Sequence, residues 1–321
     1  MTTARAASGL LGIDVGGTKV ALRAEPAGPP HPPGAPRTAG PAERSADALL
    51  HWPAARGARS DWAALEAEVT GLRERWGADF RAIGVAIPAA VDGEGRVTAW
   101  PGRPGWEGFA LGGALRRLFP GATVRWADDG DLAALAEARY AGCDHVVYLG
   151  VGTGVGGGVV HGGAPLPGPG RGSCEAGHLV VDRRGPRCDC GRRGCLQATA
   201  SGPATLRRAA RLRGAPADFA ALRAGLAESA GWAEEAVAET CAALAAGFVS
   251  LHELFRPELA VLGGGFAEGL PGFTDRVRAA TAELARPGFP APPLRPAALG
   301  GLSSLHGALA LARRHLEGDT R

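Results

Sequence analysis

One pattern, strand then glycine-rich turn then strand, occurs twice in this chain, and the recurrence restricts the fold more than any other feature. Residues 10–24 read LLGIDVGGTKVALRA, an apolar run, a turn with paired glycines and an alternating apolar run, which is the signature of a β-hairpin. Residues 144–163, DHVVYLGVGTGVGGGVVHGG, repeat it. Such a repeat predicts two similar lobes with a cleft between them. The 321 residues suffice for two cores of about 150 residues each.

Between and after the hairpins, apolar spacing predicts helices over 61–76 (behind an Asp61 cap), 106–119, 231–255 and 303–316, and strands over 82–88 and 258–265. Val124 and Trp126 form a strand end that delivers Asp128, Asp129 and Asp131 directly onto a helix rich in Ala and Leu. From Pro26 to Pro41 prolines crowd a stretch without apolar periodicity, which reads as an extended surface loop.

Charge excludes some partners. The 35 basic residues are scattered among 32 acidic ones, for a net charge of +3, so neither a nucleic-acid stripe nor a membrane patch is expected. Before Asp14 only Leu10 to Ile13 is continuously apolar, too short for a signal-peptide core or a membrane span, and a cytoplasmic location is expected. Every basic residue except Lys19 is Arg, and Lys19 sits inside the first glycine turn.

Glycine turns let backbone N–H groups approach phosphate oxygens. Asp14, Gly16, Gly17, Thr18 and Lys19 add to one such turn a carboxylate for hydrated Mg²⁺, a hydroxyl and the chain's only ammonium; the spacing is not that of a P-loop. Gly152, Thr153 and Gly154 begin a match to G-x-G-x-x-G ending at Gly157. A strand-like run follows it, so a phosphate-gripping hairpin is a better reading than a dinucleotide fold. Gly263, Gly264 and Gly265 end a strand and open a helix, where bare backbone can lie against a nucleotide.

His178, Cys188, Cys190 and Cys195 follow H-x₉-C-x-C-x₄-C, one imidazole and three thiolates, as in a closed structural Zn²⁺ site. The competing reading, buried thiols beside a stray histidine, leaves that spacing unexplained. Cys143, Cys174 and Cys241 read as core residues. Among the three aspartates one is expected to cap the helix, and another to act as general base toward a substrate hydroxyl.

Taken in order, Asp14 to Lys19, Gly152 to Gly158, the C-E-A-G-H run ending at His178 and the C-D-C-G-R-R-G-C-L-Q run from Cys188 resemble the ROK family of bacterial sugar kinases and repressors. The resemblance spans about residues 9 to 315. It implies an α/β, two-lobed actin/hexokinase-type (ribonuclease H-like) fold with an interlobe cleft. The first lobe would be 1–124 plus a returning helix at 303–321, and the second 125–302 with the zinc loop. It also implies a kinase that phosphorylates a hexose hydroxyl, usually O6, with ATP and Mg²⁺, and a homo-oligomer, dimer or tetramer. The family's repressors carry a helix-turn-helix domain ahead of the first motif, which here begins at residue 14, so a DNA-binding regulator is disfavoured. A sugar sensor without catalysis is disfavoured by Asp129 and Lys19.

Matched residue by residue, Asp129 stands as the catalytic base, Glu175 as a holder of sugar hydroxyls and His178 as the zinc histidine that also touches the sugar. The departures surround the sugar: Asp128 replaces the usual Asn, Gln197 a Glu, Gly102 an Asn and Cys174 a Gly. An Asp offers only acceptors and a full negative charge, and beside Asp129 it calls for a positive partner. An amino-hexose such as kanosamine (3-amino-3-deoxyglucose) supplies one. Alternatively Asp128 accepts from ordinary hydroxyls, and the substrate is glucose.

Overall fold

The computed structural model describes residues 8–28, 45–53, 57–168 and 171–316. The chain divides into two units. Met1–Ala136, Pro167–Ser173 and Leu302–Arg321 form one, and Glu137–Leu166 with Cys174–Gly301 the other. The expected junction at 124/125 falls inside a strand that hydrogen-bonds into the first sheet. Most of the proline-rich stretch, residues 29–41, lies outside the described residues.

The first unit is built on strands β1 (Gly9–Val15), β2 (Lys19–Pro26), β3 (Ala46–His51), β4 (Phe80–Ala86) and β7 (Thr123–Ala127), with a small ribbon, β5 (Ala90–Val91) and β6 (Val97–Ala99), beside them. Its sheet order is β3-β2-β1-β4-β7. Strands β1–β2 and β2–β3 pair antiparallel, β1–β4 and β4–β7 parallel. Both faces of β1 and β4 are covered, which is why LLGIDV and AIGVA read as near-continuous apolar runs. On one face, helix α1 (Ala58–Trp76) lays down Trp62, Leu65, Val69, Leu72 and Trp76 at helical spacing and stops at Gly77 in the left-handed conformation. Helices α2 (Leu111–Leu118) and α3 (Asp129–Ala141) follow, α3 running on into the second unit. The last helix, α10 (Ser303–Leu316), covers the other face with Leu305, Ala308, Leu309 and Ala312. It sits so close that a Cβ on Gly84 would lie 1.8 Å from the Ala308 carbonyl oxygen, so only glycine fits there.

The second unit repeats the topology. Strands β8 (Val146–Val151), β9 (Val155–His161), β10 (Ala164–Leu166), β11 (Leu259–Gly263) and β12 (Leu294–Pro296) run in the order β10-β9-β8-β11-β12, again two antiparallel pairs followed by two parallel ones. Helices α4 (Leu196–Ala200), α5 (Gly202–Arg213), α6 (Phe219–Ala227), α7 (Gly231–Phe255), α8 (Gly265–Glu268) and α9 (Phe273–Glu283) complete it. By length and composition α7 could cross a membrane. Half of its apolar stretch is buried, with Val237, Cys241, Leu244, Phe248 and Leu251 in the unit's core, as in the central helix of a globular domain.

Two expectations need correction. The helix expected over 106–119 begins only at Leu111, because Pro104–Trp106 forms a 3₁₀ turn and Gly108 adopts a φ of +80°. Asp61 caps nothing: α1 starts at Ala58, and Asp61 is buried one turn inside it.

Candidate active site

Strand register assembles the first cluster. Asp14, at the end of β1, lies opposite Ala86 of β4, and Ala86 opposite Ala127 of β7. The carboxyl ends of three parallel strands therefore converge, and Asp128 and Asp129 follow immediately at the start of α3. Asp128 is the helix cap: its Oδ1 accepts from the Gly130 N–H at 2.9 Å. The Asp129 carbonyl accepts from the Ser304 hydroxyl of α10 at 3.2 Å. Burial, then the charge of Asp129, push the Asp14 carboxyl up to about 7, while Lys19 pulls it down. Two carboxylates that resist joint ionisation form a site that favours a cation. Asp131, the third aspartate, is buried in α3.

The turn between β1 and β2 closes with the Gly16 N–H donating to the Lys19 carbonyl at 2.9 Å. Gly17, Thr18 and Lys19 are exposed. Among the described residues the N–H groups of Gly17 and Thr18 donate to no protein acceptor. Gly102 lies in the Pro101–Trp106 segment beside Trp100, with room for a side chain that glycine leaves empty.

In the second unit, the pairing Gly263↔Gly150 brings the other two glycine turns together. Gly152, Thr153 and Gly154 link β8 to β9. Gly264, with φ +92°, packs on Val151 so tightly that a Cβ there would stand 2.5 Å from the Val151 nitrogen and oxygen. The Gly202 N–H, at the start of α5, donates to the Gly152 carbonyl at 2.9 Å and fixes the turn. A Cβ on Gly154 would stand 3.3 Å from Oε1 of Gln197.

The same unit gathers the predicted metal ligands: one donor atom each from His178, Cys188, Cys190 and Cys195 lies within 4.8 Å of the others. Cys190 Sγ is 3.6 Å from Cys195 Sγ, and Cys188 Sγ is 3.7 Å from His178 Nδ1. These match the edges of about 3.8 Å of a tetrahedron with metal–sulfur bonds of about 2.3 Å. The cluster can hold a metal ion. Burial pushes the Cys195 thiol up to about 12, whereas the Arg192 backbone holds Cys190 below the usual thiol range. Gln197 donates to Cys188 Sγ at 3.5 Å. With Nδ1 toward the thiols, His178 turns Nε2 toward Glu175, 4.0 Å from its Oε2. Of the cysteines expected in the core, Cys241 is buried, but Cys143 and Cys174 are only half-buried, because both lie in connecting segments.

Sequence reasoning missed Arg103, Asp61 and Trp52, which form a cluster behind the Gly16–Lys19 turn. A lone Asp near a helix start reads as a cap, and nothing in the chain's periodicity pairs residue 61 with residue 103.

The match to the ROK family model covers residues 63–315. The kanosamine kinase of Amycolatopsis mediterranei (strain S699) is 51% identical over 302 residues, 94% of this chain and 95% of that protein. Among solved structures, the ROK hexokinase from Thermus thermophilus has a TM-score of 0.82 at 32% identity, covering 97% of this chain and 99% of that one. The ROK family glucokinase from Streptomyces griseus, in complex with glucose and AMPPNP, has a TM-score of 0.75 at 26% identity, covering 96% and 100%. The α/β fold is thus of the actin/hexokinase type, and the chain belongs to the ROK family, as one of its sugar kinases.

Proposed function

We propose that this sugar kinase moves the γ-phosphoryl group of ATP to the 6-hydroxyl of an amino-hexose, with kanosamine as the leading substrate. The observation that carries the substrate is Asp128, an acceptor-only carboxylate oriented by the Gly130 N–H at the strand ends where Asp14 and Asp129 also lie. Three carboxylates there favour an acceptor that brings a positive charge. The kanosamine kinase relative supports the same reading.

In this reaction Asp129 accepts the proton of the 6-hydroxyl while O6 bonds to the γ-phosphorus. The bond from that phosphorus to the bridging oxygen breaks, ADP leaves with the electron pair, and Asp129 passes its proton to solvent. The Gly17 and Thr18 N–H groups, the Thr18 hydroxyl and Lys19 are phosphate-binding groups, and Gly152, Thr153 and Gly154 form a second glycine turn of the same kind. Gly263, Gly264 and Gly265 lie along the adenosine side. Asp14 is the carboxylate for hydrated Mg²⁺, which withdraws charge from the transferring phosphoryl group when bound.

Glu175, three residues before the cluster's His178, and Gln197 read sugar hydroxyls, and Gly102 leaves room at the sugar's edge. The metal of the His178–Cys195 cluster is Zn²⁺ in a structural role, since four protein ligands leave no open position. Gln197 then links the zinc loop to the Gly152–Gly154 turn. That the six cysteines form no disulfide among the described residues accords with a reducing, cytoplasmic setting. ADP release measured over a panel of hexoses and amino-hexoses tests the activity. Sugar-dependent release in the wild type and its collapse in Asp129→Asn are expected; turnover surviving that substitution removes Asp129 as the base.

A further inference from the structure

A buried cluster that the reaction does not use ties the Gly16–Lys19 turn from behind. The indole N–H of Trp52 donates to the Gly16 carbonyl at 2.7 Å, and Nε of Arg103 donates to the Gly17 carbonyl at 3.1 Å. The Arg103 guanidinium lies over the Trp52 ring, 4.6 Å from its centroid, and pairs through Nη1 with Asp61. Asp61 is fully buried; its Oδ2 also accepts from the Trp106 indole at 2.8 Å, and its Oδ1 has no partner among the described residues.

A buried ion pair is weak evidence for stability, because desolvation offsets most of the attraction. Position offers a better account. In a trans peptide the C=O and N–H point in opposite directions. Holding the Gly16 and Gly17 carbonyls toward Trp52 and Arg103 therefore aims the Gly17 and Thr18 N–H groups away from the cluster. A cation on the Gly17 carbonyl also polarises that peptide and strengthens the Thr18 N–H as a donor to an anion. Arg103 adjoins Gly102 and sits in a turn closed by its own N–H on the Trp100 carbonyl at 2.9 Å, so the sugar-side segment and the phosphate turn share one rigid support.

We propose that Arg103 is a positioning residue which sets the affinity of the glycine turn for nucleotide phosphates and couples it to sugar occupancy of the 101–106 segment. This rests on the proposed function, in which the Gly16–Lys19 turn grips phosphate and Gly102 lies at the sugar's edge. Arg103→Lys keeps a charge beside Asp61 and loses the Nε donor. Trp52→Phe keeps a ring under the guanidinium and loses only the bond to Gly16.

The test measures the Kd of a non-hydrolysable ATP analogue for each variant, with and without kanosamine or glucose, whichever the wild type phosphorylates. Arg103→Lys should weaken the analogue about tenfold, equivalent to ~1.4 kcal/mol, and bring the ratio of the two Kd values toward one. Trp52→Phe should weaken it severalfold. A merely structural role would lower the melting temperature and leave that ratio alone. Unchanged affinity and ratio in either variant that folds overturns the proposal. Lys19→Met separates the two levels: if it leaves analogue binding intact, the phosphate-grip reading fails and the Arg103 proposal with it. Loss in Lys19→Met with none in Arg103→Lys removes the Arg103 proposal alone.

Discussion

Asp14 and Asp129 cannot both be bare anions without cost: burial and the Asp129 charge raise the Asp14 carboxyl from 3.8 to about 7. A carboxyl raised in the folded state contributes stability that is fully present below pH about 4 and is lost as pH rises through about 7. A shift of that size corresponds to about 4 kcal/mol at most. In metal-free protein, Asp14→Asn should therefore raise the melting temperature by several degrees at pH 8 relative to wild type, and by much less at pH 4, while removing activity. Melting curves at the two pH values check it; equal shifts at both would remove the electrostatic explanation.

Removing the Asp129 charge should act on chemistry and on its neighbour together. Asp129→Asn is expected to lower kcat by about 10²- to 10⁴-fold, the usual contribution of a general base, with sugar and nucleotide affinity nearly unchanged. The pH dependence of apo stability should shrink too, because one cause of the raised Asp14 carboxyl is gone. Steady-state kinetics beside a pH series of melts reads both effects.

The four-ligand cluster predicts about one zinc per chain by elemental analysis. Stripping it with a chelator, or Cys190→Ser, should lower the melting temperature and raise KM for sugar more than KM for ATP, since Glu175 shares the loop through His178. Metal-free protein with wild-type stability and sugar KM would contradict the structural role.

Gly84→Ala places a methyl group 1.8 Å from the Ala308 carbonyl oxygen, against helix backbone that cannot yield cheaply. Overpacking of this kind costs about 1–3 kcal/mol, and α10 must shift to admit it. A lowered denaturation midpoint with an unchanged m-value is expected; wild-type stability would mean that α10 packs more loosely than described.

The repeated hairpin announced both sheets, because the strand-turn-strand pattern carries its own period and its own turn chemistry. The ranges 231–255 and 303–316 were legible for the same reason: sustained apolar spacing fixes α7 and α10. Strands β3 and β12 were not, being short edge strands with half or more of their residues exposed, defined by pairing rather than by pattern. Metal-ligand spacing is local, so the His178–Cys195 cluster could be read directly. The Asp61–Arg103 pair is a long-range contact with no local signature, which is why Asp61 looked like a cap.

The most direct test of the amino-hexose assignment is the ratio of kcat/KM for kanosamine to that for glucose, in the wild type and in Asp128→Asn. An asparagine keeps the acceptor for the Gly130 N–H and removes the charge proposed to read an amine. The ratio should exceed one in the wild type and fall about tenfold or more in Asp128→Asn, the loss of one charged hydrogen bond of ~1.5–3 kcal/mol. A preference for glucose that Asp128→Asn leaves unchanged would contradict the assignment.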